Sequence, residues 1–178
     1  MPPQQRFTPQ LPSWHITFNT YGTRLHGAAA PTVDKQHNER PEPFLTRSHI
    51  RVESDSERMK FPPRYCTREQ RIFVEAELPV ICDRGGWNHR ICAAGADHVH
   101  LLCDVVPAVH GEKVRRLVKR WLGQSLSERW PLPQGATWWA EEGSNIAMGD
   151  ERYLNNCFAY IFNQRATPPA SRGVLAPE

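Results

Sequence analysis

The feature that most limits how this chain can fold is a change of hydrophobic period, repeated in a fixed order. Trp14, Ile16 and Phe18 alternate with His15, Thr17 and Asn19, the two-residue period of a half-buried strand. From Thr67 the period lengthens. Thr67-Arg-Glu-Gln70 has the spacing of a capping box, and Ile72, Phe73, Ala76 and Val80 follow at helical intervals. Pro79 lacks an N–H and is expected to kink or interrupt this helix, and Gly85-Gly86 to end it. Strands are expected at Trp87–Ala94 and His98–Val106, joined by Gly95-Ala96-Asp97. A basic helix over about Gly111–Arg129 follows, then a hairpin over Thr137–Met148 turning at Glu142-Gly143-Ser144. A last helix starts from an Asp150 cap and runs through Arg165. Strand, helix, strand, strand, helix, strand is the split βαβ order. The expected fold is therefore α+β and ferredoxin-like, an antiparallel sheet with helices on one face, plus an added C-terminal helix.

Proline narrows the folded part. The 16 prolines of this 178-residue chain cluster in 2–12, 31–63 and 168–177. We expect a flexible N-terminus (1–11), a single domain (12–166) that carries an insertion (25–66) without steady periodicity, and a flexible tail (167–178). No apolar run approaches the roughly 18 residues of a membrane span, and the N-terminus has no apolar core of a secretory signal. Five cysteines form no C-x-x-C pair and are odd in number, which speaks against structural zinc or a disulfide framework. A reduced, cytoplasmic protein is expected. The net charge of +3 is small but unevenly placed. Six Lys/Arg stand against Glu112 and Glu128 between His110 and Trp130. On the expected helix Val114, Leu117, Val118, Trp121 and Leu122 form the buried stripe. Lys113, Arg115, Arg116, Lys119 and Arg120 cover the other half, either as a solvated face or as contacts to nucleic-acid phosphates. Of Trp138-Trp139, at least one is expected in the core, and one could stack a base.

Two segments hold residues suited to chemistry. In His98-Val99-His100, alternation puts both imidazoles on one sheet face and Val99, Leu101, Cys103 and Val105 on the other. Histidines two apart on a strand can reach one metal ion, although most such triplets are surface or satisfied histidines. His15 lies on the polar face of the first strand, either near that site or facing solvent. The last helix has an apolar stripe of Leu154, Cys157, Phe158, Ile161 and Phe162, flanked by Tyr153, Asn156, Tyr160 and Gln164. Tyr160 and Gln164 are one turn apart, so their functional groups can meet one point in space. Taken alone, the pattern also describes an amphipathic helix with border tyrosines.

Together these segments resemble a known family. His98-Val99-His100 is similar to the His-hydrophobic-His motif of the HUH single-tyrosine transposases, the insertion-sequence 200/605 type and their REP-associated relatives. Trp14–Phe18 is similar to their first strand, and Tyr153–Gln164 to the helix that bears their nucleophile. The resemblance spans about residues 12–166 without the insertion. It implies His98, His100 and Gln164 as ligands of a divalent ion, Mg²⁺ or Mn²⁺, and Tyr160 as nucleophile. The implied activity is cleavage and transfer of single-stranded, hairpin-forming DNA through a 5′-phosphotyrosine, carried out by a homodimer. Two other readings start from the same residues. A non-catalytic RNA or single-stranded DNA binding module would place aromatic residues on an open sheet face. A phosphoesterase with paired histidine motifs would use His15-Ile16-Thr17 as the second motif.

Overall fold

The computed structural model describes residues 11–24, 53, 56–107 and 109–166. The expectations for residues 1–10, for most of the insertion and for the tail 167–178 lie outside the described residues. Among the described residues the main elements are β1 (Ser13–Asn19), α1 (Arg68–Gly85), β2 (Asn88–Ala94), β3 (His98–Asp104), α2 (Gly111–Arg129), β4 (Ser144–Ala147) and α3 (Glu151–Phe162). The sheet order is β2-β3-β1-β4, every neighbouring pair antiparallel, which is the ferredoxin-like arrangement. No helix among the described residues is long and apolar enough to cross a membrane.

The sheet is covered on both faces, and alternation decides which residues go where. Ile16, Phe18, Val99, Leu101 and Cys103 point to one side and build the larger core with Val74 and Leu78 of α1 and Val114, Val118 and Leu122 of α2. Ile91, Ala93 and Leu102 point to the other side, where Leu154, Cys157, Phe158 and Ile161 of α3 cover them. All five cysteines are reduced and buried: Cys82, Cys92 and Cys103 in the larger core, Cys157 under α3, and Cys66 just before α1.

Helix α1 opens with the expected capping box at Thr67 and Gln70 and closes on Gly86, whose φ of 69° is the left-handed conformation that glycine tolerates. Pro79 does not interrupt it. The helix runs unbroken for 18 residues. A proline deprives the carbonyl four residues earlier of its partner, here that of Glu75, and the Cys92 thiol donates to that oxygen at 3.5 Å. The lost helical bond is replaced from the neighbouring strand.

The expected hairpin at Thr137–Met148 is not a hairpin. Its two halves do not pair with each other; both run along the outer edge of β1. Trp139 bridges Thr20, the Ala140 amide donates to Asn19 O at 3.0 Å, and Ser144–Ala147 pair with Thr17–Trp14. The segment is one interrupted strand, with Glu141-Glu142-Gly143 looping out between its halves. Lys119 of α2 holds the loop by donating to Ala140 O at 2.5 Å and Glu141 O at 2.6 Å, and Arg115 donates to Gly143 O and to Asn145 Oδ1. Gly143 fits there because a Cβ would stand 2.5 Å from Thr17 O. Trp138 and Trp139 are both core residues, 3% and 6% exposed, with indole N–H groups on Ser127 Oγ and Lys119 O. Neither is open to stack a base. The last helix also ends earlier than expected, at Phe162, and Gln164 sits in the turn beyond it.

A histidine, tyrosine and glutamine cluster under the last helix

Strand register assembles the site. On the face covered by α3, His100 lies directly opposite Thr17, and His98 opposite Asn19. The expected orientation of both histidines therefore holds, and His15 joins them. His15 Nε2, His100 Nδ1 and Thr17 Oγ1 form a triangle with sides of 3.0, 3.1 and 3.2 Å. Two proton arrangements satisfy all three atoms: in one, His100 Nδ1–H donates to Thr17 Oγ1 and the Thr17 hydroxyl donates to His15 Nε2; in the other, both bonds run the opposite way. The first arrangement leaves His100 Nε2 with a free lone pair, as a ligand nitrogen requires. That nitrogen is buried and has no hydrogen-bond partner among the described residues.

His98 is fixed in the same sense. Its Nδ1 lies 2.6 Å from Asp97 Oδ1, so Nε2 faces inward, 3.1 Å from Gln164 Oε1. Burial raises the Asp97 pKa, but the hydrogen bond from His98 and the nearby positive charges, Arg24 included, bring it below its usual range. The Arg24 guanidinium stands 3.8 Å from the other Asp97 oxygen. A carboxylate holding the far nitrogen of an imidazole sets its tautomer and makes the near nitrogen a better ligand. Asp97, Thr17 and His15 thus support the histidines, although only His15 had been marked as near them.

Helix α3 lays Tyr160 across this group. The Tyr160 ring meets the His100 ring edge to face with centroids 5.4 Å apart, and the His98 and His100 rings are 4.9 Å apart. Tyr160 is 51% exposed, so a substrate can reach its hydroxyl from solvent, whereas His100 beneath is 6% exposed. Tyr153 also lies open on the same helix.

These residues fit a divalent ion. Two donors about 2.1 Å from one ion and at right angles to each other stand about 3 Å apart. That is the spacing of His98 Nε2 and Gln164 Oε1, which are both acceptors when His98 carries its proton on Nδ1 alone. The partnerless His100 Nε2 supplies a third. No group of three His, Cys, Asp or Glu suited to a metal occurs among the described residues; a site here would take the Gln164 amide as its non-histidine donor.

Burial also keeps two imidazoles neutral. It lowers the His15 pKa to about 4; burial and the neighbouring charges of His15, His98 and Arg24 lower that of His100 to about 3. In the unfolded chain both take up a proton near 6.5. Between these values the unfolded state binds more protons. The stability contributed is complete above pH 6.5 and is lost as the pH falls towards 4, by about 1.4 kcal/mol per pH unit for each histidine. Denaturant midpoints at pH 7.5 and pH 5 should differ accordingly. Equal midpoints would show that the imidazoles are not held neutral.

The basic helix is not part of this cluster. α2 packs on the opposite sheet face. Lys113, Arg116 and Arg120 are exposed there, while Arg115 and Lys119 are committed to the 140–145 loop.

No family model and no curated protein sequence matches the chain. Among solved structures it is similar to a candidate transposase from Deinococcus radiodurans R1, with a TM-score of 0.47 and 16% identity over 93% of this chain and 99% of the other. It is also similar to a REP-associated tyrosine transposase bound to a REP hairpin, with a TM-score of 0.46 and 10% identity over 91% of this chain and 71% of the other.

Proposed function

We propose that the protein is a metal-dependent HUH single-tyrosine nuclease and transposase that cuts and rejoins single-stranded DNA. One observation carries the reading: His98 Nε2, Gln164 Oε1 and the partnerless His100 Nε2 converge beneath a tyrosine that is open to solvent. His98, His100 and Gln164 would hold the ion, which when bound offsets the charge on a non-bridging phosphate oxygen and orients the phosphorus for in-line attack. Two imidazoles and one amide oxygen suit Mn²⁺ better than Mg²⁺.

The chain's own residues do the rest. The Tyr160 oxygen forms a bond to phosphorus and the bond from phosphorus to the 3′ oxygen breaks. The phenol gives up its proton and the departing 3′ oxygen takes one up. The product is a 5′-phosphotyrosine and a free 3′-OH. Because the phosphodiester energy is retained in the tyrosine ester, attack by another 3′-OH reverses the step and joins strands without ATP. Arg24, beside Asp97 at the margin of the histidine group, would add positive charge near a phosphate held there.

The two other readings fit the geometry less well. An RNA-binding module of this fold uses an exposed sheet face, and here α3 covers the face in question. A phosphoesterase would seat its phosphate between paired histidines, yet His15 and His100 are in direct contact at 3.1 Å. The decisive experiment is covalent trapping. Labelled single-stranded hairpin DNA incubated with the protein and Mn²⁺ should yield an adduct that survives denaturation. Its absence at every divalent metal tried would overturn the proposal.

DNA contacts on α2 divide into two kinds. Replacing the exposed Lys113, Arg116 or Arg120 with Ala should leave the fold intact and lower the salt slope of binding by about 1 for each residue. Arg115→Ala and Lys119→Ala should instead destabilise the protein by about 1–3 kcal/mol, because they leave loop carbonyls without donors. Equal effects of all five on stability would remove this distinction. A homodimer belongs to the same proposal, since it sets two nucleophiles at a fixed spacing for exchanging two ends. Sedimentation of the active protein as a monomer would remove that part.

A further inference from the structure

One buried acid has no place in the chemistry above. Glu75 lies in the middle of α1 and is 4% exposed. Its carboxylate reaches out of the helix to two backbone amides far apart in the chain. Oε1 accepts from Ala94 N at 3.1 Å and from Ala166 N at 2.6 Å, and Oε2 lies 3.7 Å from Arg165 Nε.

Both amides are significant. Gly95 N donates to His98 O, so by antiparallel alternation Ala94 N points away from β3, to the free edge of the sheet. Ala166 follows Gln164 by two residues. A charged carboxylate on an amide is among the stronger hydrogen bonds, and burial strengthens it further. Glu75 therefore ties the chain just beyond α3 to the edge of β2, at the end of the sheet where His98 begins β3. Apart from this tie, α3 is held mainly by the smaller apolar cluster on its side of the sheet.

We propose that Glu75 is a positioning residue. By clamping Ala166 against the β2 edge, it fixes where Gln164 stands over His98 and where Tyr160 stands over His100. The proposal rests on the reading of these four residues as the reactive site. Glu75 touches neither substrate nor ion; it acts through the backbone on each side of its carboxylate.

The test is amide hydrogen exchange combined with metal binding. In Glu75→Ala, the amides of Ala94, Ala166 and α3 should exchange about 10- to 100-fold faster, while those of Val99–Cys103 in β3 stay protected. Mn²⁺ affinity, read by calorimetry, should fall about 10-fold or more. Glu75→Gln keeps an acceptor oxygen and loses only the charge, so it should restore a large part of both and also serves if the alanine variant folds poorly. Unchanged exchange at Ala166 and α3 in both variants would overturn the proposal, as would an equal acceleration of every amide in the sheet. The two levels separate cleanly. Unaltered exchange with intact cleavage removes the role of Glu75 alone. Faster exchange of α3 in a protein whose wild type neither binds Mn²⁺ nor forms an adduct removes the reading of the site, and with it this one.

Discussion

Tyr160→Phe should lower DNA cleavage by at least about 10⁴-fold and abolish the covalent adduct, with hairpin binding nearly unchanged. The size follows from what is lost: the hydroxyl is the nucleophile, and no neighbouring group can substitute for it at the same point. The selectivity follows from the structure. The ring still packs edge to face on His100, and the hydroxyl lies on a half-exposed side chain, so neither the fold nor the support of α3 depends on it. Tyr153 is the control. It is open to solvent on the same helix but seven residues, about two turns, earlier. Cleavage that survives Tyr160→Phe and disappears in Tyr153→Phe would transfer the role.

Removing the ligands should be nearly as severe. His98→Ala and His100→Ala should each reduce metal-dependent cleavage by more than about 10²-fold, since even partners outside the ligand set commonly cost that much, and EDTA should reproduce the loss. The two differ in stability. His98 is partly open, and its removal leaves Asp97 with Arg24 still beside it. His100 is buried between sheet and helix and completes the triangle with Thr17 and His15. Truncating it removes a buried ring and its bond to Thr17, leaves Thr17 and His15 only each other, and should cost about 1–3 kcal/mol. Full cleavage in EDTA would remove the metal site whatever the mutants do.

How much could be read in advance differed with the range of the interaction. The borders of α1 were legible because capping is local: Thr67 with Gln70 at its start and Gly86 at its end. The common face of His98 and His100 needed only alternation. What remained hidden depends on register between distant segments. Nothing near Thr17 announces that it will stand opposite His100, and Glu75 in sequence resembles any charge on a solvated helix. The hairpin was misread for a related reason. Thr137–Met148 has the alternation of paired strands, but alternation does not name the partner, and β1 offered an open edge that both halves could occupy. Both tryptophans, at least one of which was expected in the core, then went there with Phe18. Pro79 was read by the helix alone, whereas the Cys92 thiol that compensates for it belongs to another strand.

The distribution of the cysteines gives the protein a set of internal clocks. Burial raises the Cys66 and Cys157 thiols to about 11 and that of Cys92 to about 12; a hydrogen bond with Cys82, together with burial, raises Cys103, and Cys82 is itself fully covered. An alkylating reagent reacts with the thiolate, so at neutral pH the folded chain is nearly inert to it, and each sulfur is labelled only when its own covering lifts. Cys157 sits beneath the last helix, and Cys82, Cys92 and Cys103 on the other side of the sheet. Labelling of Cys157 ahead of the other three therefore times the lifting of α3 from the sheet, and simultaneous labelling of all four times the opening of the whole domain. The wild-type chain reports both motions without an added probe.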